Sequence, residues 1–270
     1  MLYIYNFIML ISETPIYCIN LQERPERKQN AIQELEKIHI DKKNVIFLEF
    51  HKHKKGGCYG CYDSHMKVWN DFYKNHKDKE MCIIFEDDFE VTENSKTYLK
   101  KAARFIEQNK HDIDVLFLHN YFIKANEKSN DTNNHDINNK NFTNGYGLLA
   151  HAYIITRKYI RSVLKKNNNM LPLPPLPKKI QVDMDINFNY DGILYTEKIY
   201  YCNKQVFIQN NHISSDNTMN FYDKTLRSVY GNEYVFKVGL NILKLLDKLI
   251  PNNDSKIKQI YLIYFKIYQT

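Results

Sequence analysis

The chain has 270 residues, enough for one large domain with a substantial core, or for a domain with an appendage. Its 38 Lys and Arg residues outnumber 31 Asp and Glu residues, and the formal net charge of +7 suits an anionic surface or substrate. The sequence has no dense basic patch of the kind that binds nucleic acid. Its five cysteines are an odd number, which argues against a disulfide scaffold and favours a reducing, cytoplasmic compartment.

The chain opens with an apolar segment followed by a predicted strand, loop and helix. The first eleven residues are too short to span a bilayer and lack a basic flank, so we interpret them as an edge element or a membrane-surface anchor. Thr14–Leu21 predicts a buried strand, and Pro25 suits the first position of the helix that follows. Arg24 and Arg27 in this loop could meet diphosphate oxygens, or be solvated side chains on a first helical turn.

A glycine-rich turn leads into a second predicted helix. Asn44–Phe50 predicts a short strand, and the sequence HKHKKGGCYGC then precedes apolar residues at helical spacing. Cys58, Cys61 and His65 could be three zinc ligands, but no second pair of cysteines or histidines follows at zinc-ribbon spacing. We therefore favour a buried cysteine face on this helix.

The stretch Met81–Glu90 carries the clearest functional signal. Its apolar run predicts a buried strand of a largely parallel sheet, and that run stops on three acids, Glu86, Asp87 and Asp88. Ligands of such sheets bind outside the carboxyl ends of the strands. Three adjacent carboxylates repel one another, so a divalent cation such as Mn²⁺ or Mg²⁺ would stabilise them. The alternative is a solvated acidic turn.

Alternating strands and helices continue after the acids. The pattern predicts a helix over Tyr98–Gln108, a strand over Asp114–His119, a polar loop over Asn126–Asn144, a strand through Tyr153–Ile155 followed by a helix, and a strand over Tyr200–Gln209. This order predicts an α/β fold.

The C-terminal fifth of the chain has a different pattern. From Phe221 onward, apolar residues at helical spacing alternate with lysines, which predicts an amphipathic helical tail. The tail could pack on the domain, which we favour, or contact a membrane surface peripherally. We therefore divide the chain into a domain of residues 1–220 and a tail of residues 221–270.

Five segments, taken in order, resemble glycosyltransferase family 25: INLQERPERK, GCYGCYDSHMKVW, IIFEDDFE, GLLAHAYIITRKYI and VDMDINF. That family includes the lipooligosaccharide galactosyltransferases of bacteria and the procollagen galactosyltransferases. The resemblance implies a GT-A fold, a Rossmann-like mixed sheet flanked by helices that binds a nucleotide sugar. It also implies an inverting mechanism, a UDP-sugar donor, usually UDP-galactose, and a metal site of the DXD type.

The resemblance assigns one group of residues to the nucleotide side of the site. Asn20 and Arg24 match the family's opening NLxxR block, and His65 matches the SH of its second block. Glu86 and Asp87 belong to the EDD block and are expected near the donor, Glu86 as a second metal ligand or a ribose contact.

A second group is assigned to the metal and to catalysis. Asp88 closes the EDD block and is the expected metal ligand, and His212 is the candidate for the C-terminal histidine that GT-A enzymes often recruit to the metal. Asp183 matches the acid of the late VD block and is the expected general base. Asp185, two residues later, is chemically possible in the same role.

The sequence thus predicts a metal-dependent, inverting glycosyltransferase that moves a hexose, galactose or glucose, from a UDP-sugar to a hydroxyl of a glycan or a hydroxylysine. The alternatives are a metal-dependent nucleotidyltransferase using the same acidic strand end, or a basic, non-enzymatic protein that binds anionic lipid or nucleic acid. No P-loop sequence supports phosphoryl transfer. We expect no nucleic-acid partner.

Overall fold

The computed structural model describes residues 14–54, 57–109, 112–119, 122–125, 141–147, 150–166 and 198–210. Several predicted features lie outside these residues: the apolar N-terminal segment, most of the polar loop, the amphipathic tail, Asp183, Asp185 and His212.

The described residues form an eight-stranded sheet, a two-stranded sheet and flanking helices. The strands are β1 Ile16–Leu21, β2 Val45–Phe50, β3 Met81–Glu86, β4 Phe89–Val91, β5 Val115–Phe117, β6 Phe122–Ala125, β7 Phe142–Gly147, β8 Ala152–Thr156, β9 Ile199–Cys202 and β10 Phe207–Gln209. The helices are α1 Pro25–Lys37, α2 Gly57–Asn75, α3 Ser95–Asn109 and α4 Arg157–Lys166, with a 3₁₀ turn at Lys42–Asn44.

The large sheet is mixed. Its strands lie in the order β2, β1, β3, β8, β5, β9, β7, β6, while β4 and β10 form the small sheet. β1 is parallel to β2 and β3, and β5 is parallel to β9, whereas β8 and β7 run antiparallel to their neighbours. The carboxyl ends of β1, β3 and β5 therefore share one edge of the sheet with the first residue of β8.

Helices cover both faces of this sheet because successive strand residues point to opposite sides. In β1, Ile16 and Cys18 pack with residues of α1 and α3, while Tyr17 and Ile19 pack with residues of α2 and α4. Each face thus has its own buried apolar cluster. The expected α/β fold, a mixed sheet flanked by helices, is confirmed.

Arg157 joins two of the helices on one face. Its guanidinium donates hydrogen bonds to backbone carbonyls at the C-terminal end of α2, including those of Phe72 and Tyr73, and it stacks over both rings. Carbonyls at a helix C-terminus lack intrahelical partners, so a cation there satisfies them. This contact fixes the end of α2, whose first turns carry site residues.

The structure corrects two expectations about the strands. Tyr200–Gln209 was predicted as one strand, but this was wrong: polar residues 203–205 interrupt it, and its two halves, β9 and β10, lie in different sheets. The largely parallel sheet inferred from the apolar run of β3 is instead mixed, because β8 lies antiparallel between β3 and β5.

Within the described part of the chain, no helix is long and apolar enough to cross a membrane.

Candidate functional site

The three acids lie at the carboxyl edge of the large sheet, as their place after an apolar strand predicts. β3 ends at Glu86, and Asp87 and Asp88 form the turn to β4. β1 runs alongside, with Ile19 opposite Glu86. On the other side the backbone N–H of Glu86 donates to the carbonyl of His151, 2.9 Å away, just before β8 begins. The acids therefore sit between two strands that are buried on both faces.

Asp87 is turned toward β1 and α1. Asn20 donates its side-chain N–H to Asp87 Oδ2 at 2.6 Å, and Arg27 Nη1 lies 3.1 Å from Asp87 Oδ1. The side chains of Arg27 and Asp87 are each 7% exposed. Burial raises the pKa of Asp87, and Arg27 and Asn20 offset only part of that rise. Asp87 thus ties the acidic turn to the first strand and helix.

We expect Arg27→Met to lower the free energy of unfolding by about 3–5 kcal/mol, because it leaves the buried Asp87 carboxylate without its cation. Denaturant unfolding measures this loss. Arg24→Met is the matched control, since Arg24 is more exposed and lies 3.5 Å from the exposed Glu26, an arrangement worth at most about 1 kcal/mol. The double variant Arg27→Met/Asp87→Asn should recover part of the loss. Equal stabilities for the Arg27 and Arg24 variants would contradict a structural role for the pair.

Asp88 is turned toward the small sheet. Gln209, in β10, donates its side-chain N–H to Asp88 Oδ2 at 3.0 Å, and the pairing of β10 with β4 holds Gln209 in place. Asp88 Oδ1 is buried and has no hydrogen-bond partner among the described residues. Burial, together with the charges of Glu86 and Asp87, raises the pKa of Asp88 to about 7. A carboxyl oxygen in this state is suited to a cation.

Glu86 is turned toward α2. His65 Nε2 lies 2.9 Å from Glu86 Oε1, and the Cys61 thiol donates to the same oxygen at 3.6 Å. Burial raises the pKa of Glu86, but the hydrogen bond and charge of His65, together with smaller contributions from His151 and Cys61, lower it by more, so it lies below its ordinary value. Glu86 is therefore ionised at neutral pH. The three neighbouring acids thus differ in their hydrogen-bond partners, although Arg27 Nη1 also lies 4.0 Å from Asp88 Oδ2.

His65 is fully buried, and a hydrogen bond at Nδ1 holds its ring in place. Its Nδ1 lies 2.7 Å from the Tyr153 hydroxyl, and Trp69 Nε1 donates to the same hydroxyl at 3.0 Å. Tyr153 belongs to β8 and Trp69 lies one turn after His65 on α2, so a sheet residue and a helix residue together orient the imidazole. The Cys61, His65 and Glu86 ligand atoms all lie within 4.8 Å of one another.

Two further histidines lie at the carboxyl edge of the large sheet. The sequence did not identify them as site residues. His119 follows β5, His151 precedes β8, and their buried rings stack with centroids 4.7 Å apart. Burial lowers the pKa of His151, so its ring is uncharged near neutral pH. His119 ends an apolar run just as Glu86 does, and that signal could have marked it. His151 had no such signal, because its place depends on the reversed direction of β8.

The structure thus brings together five of the predicted site residues: Asn20, His65, Glu86, Asp87 and Asp88. Arg24 lies nearby at the start of α1, with its side chain 24% exposed. The described residues contain one group of at least three potential metal ligands whose ligand atoms lie within 4.8 Å of one another. Its members are Cys61, His65 and Glu86, and Asp88 is not among them.

The family model for glycosyltransferase family 25, described as an LPS biosynthesis protein, matches residues 54–185. The match spans His65, the three acids and Asp183, and it confirms the resemblance seen in the sequence. The chain is a glycosyltransferase. Asn20, Arg24 and His212 lie outside the matched segment of this glycosyltransferase. No curated protein matches the chain.

Three solved structures are similar to the chain at low sequence identity. A glycosyltransferase involved in glycosylation of the major capsid of PBCV-1 is 10% identical, with a TM-score of 0.44, covering 74% of this chain and 94% of that one. A197 from STIV is 14% identical, with a TM-score of 0.36 and coverages of 75% and 97%. S. aureus TarS 1–349 in complex with UDP is 14% identical, with a TM-score of 0.42 and coverages of 93% and 71%.

Proposed function

We propose that this glycosyltransferase moves a hexose, galactose or glucose, from a UDP-sugar to a hydroxyl of a glycan or a hydroxylysine, with inversion and with a divalent cation. One observation carries the proposal. Within the family-matched segment, Asp88 holds a buried carboxyl oxygen without a described partner at the sheet edge where ligands of α/β folds bind.

The residues fit a hard divalent cation. Asp88 Oδ1 is an unpaired oxygen ligand, and the neighbouring charges of Glu86 and Asp87 would be relieved by a cation beside it. Mn²⁺ or Mg²⁺ would be held by Asp88, with Glu86 and His212 as the further candidate ligands. When bound, the cation neutralises charge on the diphosphate of the departing UDP.

The protein's own groups divide the remaining tasks in this proposal. Asp87, held by Asn20 and Arg27, fixes the turn that presents Asp88. Glu86 accepts hydrogen bonds through Oε1 and has no described partner on Oε2, which is available for a ribose hydroxyl or a cation. Asp183 accepts the proton of the acceptor hydroxyl as that oxygen attacks the anomeric carbon.

Other readings of the sequence have less support. The family match makes the chain a sugar-transferring enzyme, so neither nucleotidyl transfer nor a purely binding role is needed to account for the acidic strand end. Peripheral membrane contact by residues 221–270 remains a proposal based on the amphipathic pattern alone.

Calorimetry with UDP tests the donor and the cation together. We expect UDP to bind in the presence of Mn²⁺ or Mg²⁺ and to bind at least tenfold more weakly in EDTA, because the diphosphate and Asp88 would share the cation. Metal-dependent hydrolysis of a panel of UDP-sugars would then identify the sugar. ADP and GDP serve as matched controls for the base. UDP binding that is identical with and without metal would contradict the proposed cation.

A further inference from the structure

We propose that Cys61, His65 and Oε1 of Glu86 form a second metal site, specific for Zn²⁺ or a similar thiophilic cation, beside the oxygen site proposed at Asp88. Zinc is bound in proteins by thiolate sulfur, imidazole nitrogen and carboxylate oxygen, and this cluster offers one of each. All three atoms lie within 4.8 Å of one another, which makes them the tightest mixed ligand set in the described part of the chain.

The backbone places the three ligands without strain. Cys61 and His65 are four residues apart on α2, so their side chains lie on one face of the helix, the spacing by which helical ligand pairs bind one ion. Glu86 ends β3 and faces that pair across the interface between sheet and helix. A helix and a strand that pack through a buried cluster thus fix all three ligands.

The distances are close to those of a tetrahedral zinc centre. Metal–ligand bonds of about 2.0–2.3 Å set ligand atoms roughly 3.3–3.6 Å apart. Cys61 Sγ already lies 3.6 Å from Glu86 Oε1, and His65 Nε2 lies 2.9 Å from it. Side-chain shifts of a few tenths of an ångström would admit the ion. Glu86 retains 21% exposure of its side chain, which leaves an approach for the ion and for a fourth ligand.

The surroundings of His65 match those of a metal-binding imidazole. Such a histidine commonly uses its second ring nitrogen in a hydrogen bond that sets its orientation. The Tyr153 hydroxyl lies 2.7 Å from Nδ1, leaving Nε2 directed at Cys61 and Glu86. The hydroxyl oxygen has two lone pairs, so it can accept from both Trp69 and His65. On zinc binding, the Cys61 thiol releases its proton to solvent and His65 keeps a single proton on Nδ1.

Ligand chemistry separates this site from the one at Asp88. A thiolate with an imidazole favours Zn²⁺ over Mg²⁺ and Mn²⁺, whereas a site built mainly from carboxylate oxygens suits Mg²⁺ and Mn²⁺. The two sites can therefore be filled selectively. The proposal does not depend on the transfer reaction, because binding to a thiolate has its own spectroscopic signal.

Co²⁺ titration of the full chain, with excess Mg²⁺ to occupy oxygen sites, tests the proposal. We expect one Co²⁺ per chain, with a thiolate-to-cobalt charge-transfer band and the d–d absorption of a tetrahedral centre, both removed by Zn²⁺. Cys61→Ser should abolish the charge-transfer band, and Glu86→Gln should weaken Co²⁺ binding at least tenfold.

Cys58→Ser is the matched control, since Cys58 precedes Cys61 by three residues in the same helix and is the alternative thiol ligand. It should leave the band unchanged. X-ray absorption of the zinc-loaded wild type tests the site without any substitution, and we expect one sulfur at about 2.3 Å with nitrogen or oxygen neighbours. Loss of the band in Cys58→Ser, or a spectrum without a thiolate ligand, would overturn the proposal and leave the cluster as a hydrogen-bonded support for Glu86.

Discussion

Asp88→Asn is expected to abolish sugar transfer and metal-dependent UDP binding while leaving the fold intact. An amide cannot supply the negative oxygen that the cation requires, so we expect turnover to fall on the order of 10³-fold or more. The substitution should not destabilise the protein. Burial and the charges of Glu86 and Asp87 disfavour the Asp88 carboxylate, and the amide oxygen can still accept from Gln209. A loss of function without a loss of stability would distinguish a metal ligand from a structural acid.

Steady-state transfer, calorimetry with UDP and Mn²⁺, and thermal unfolding measure the three parts of this prediction. Asp63→Asn is the matched control, because Asp63 lies in the same family-matched segment but pairs with Lys67 on the surface of α2. It should retain wild-type turnover. Wild-type turnover in Asp88→Asn would remove the metal site from the proposed mechanism, whereas lost activity together with lost stability would make Asp88 a structural residue.

The location of the acidic turn could be predicted from the sequence because it depends on local signals. The apolar run of β3 fixes a buried strand, and the abrupt change to Glu86 fixes where that strand ends. Asn20 lies near the end of the predicted strand Thr14–Leu21, and its place in the site was implied by the resemblance to glycosyltransferase family 25. The two strands are adjacent and parallel in the structure, so their carboxyl ends meet at one edge of the sheet.

The different roles of the three acids could not be predicted, since they depend on partners far away in the chain. Arg27 lies 60 residues before Asp87, and Gln209 lies 121 residues after Asp88. Arg27 in particular was a candidate diphosphate contact, but its buried guanidinium is already paired with Asp87. Nothing in the triplet itself shows which carboxylate will meet a cation, a guanidinium or an imidazole.

The direction of β8 in the sheet also could not be predicted from the sequence. The strand predicted through Tyr153–Ile155 is confirmed as part of β8, but an apolar run is the same for a parallel and for an antiparallel strand. Because β8 is antiparallel, His151 comes to the functional edge and not to the opposite one, and Tyr153 comes behind His65. The residues that support the site, His151 and Tyr153, were therefore harder to predict than the three acids of the turn.

The general base gives the second large expected effect. Direct displacement at the anomeric carbon needs a base on the acceptor side of the sugar, and the late acidic segment is the source left once Glu86–Asp88 are committed to the donor. The family match extends to residue 185 and so includes both acids of that segment, Asp183 and Asp185. Both lie outside the described residues, so the choice between them rests on sequence: Asp183 matches the family's VD block and directly follows the apolar Val182.

Asp183→Asn should lower turnover by about 10²- to 10⁴-fold, the usual contribution of a general base, while UDP and Mn²⁺ bind as in the wild type. Asp185→Asn is the matched control two residues away and should change turnover much less. Transfer kinetics and calorimetry on both variants separate the outcomes. A reversed pattern, with only Asp185→Asn inactive, would move the base by two residues and preserve the mechanism. Full activity in both variants would contradict base-assisted displacement from this segment, because no other residue is proposed to take the acceptor proton.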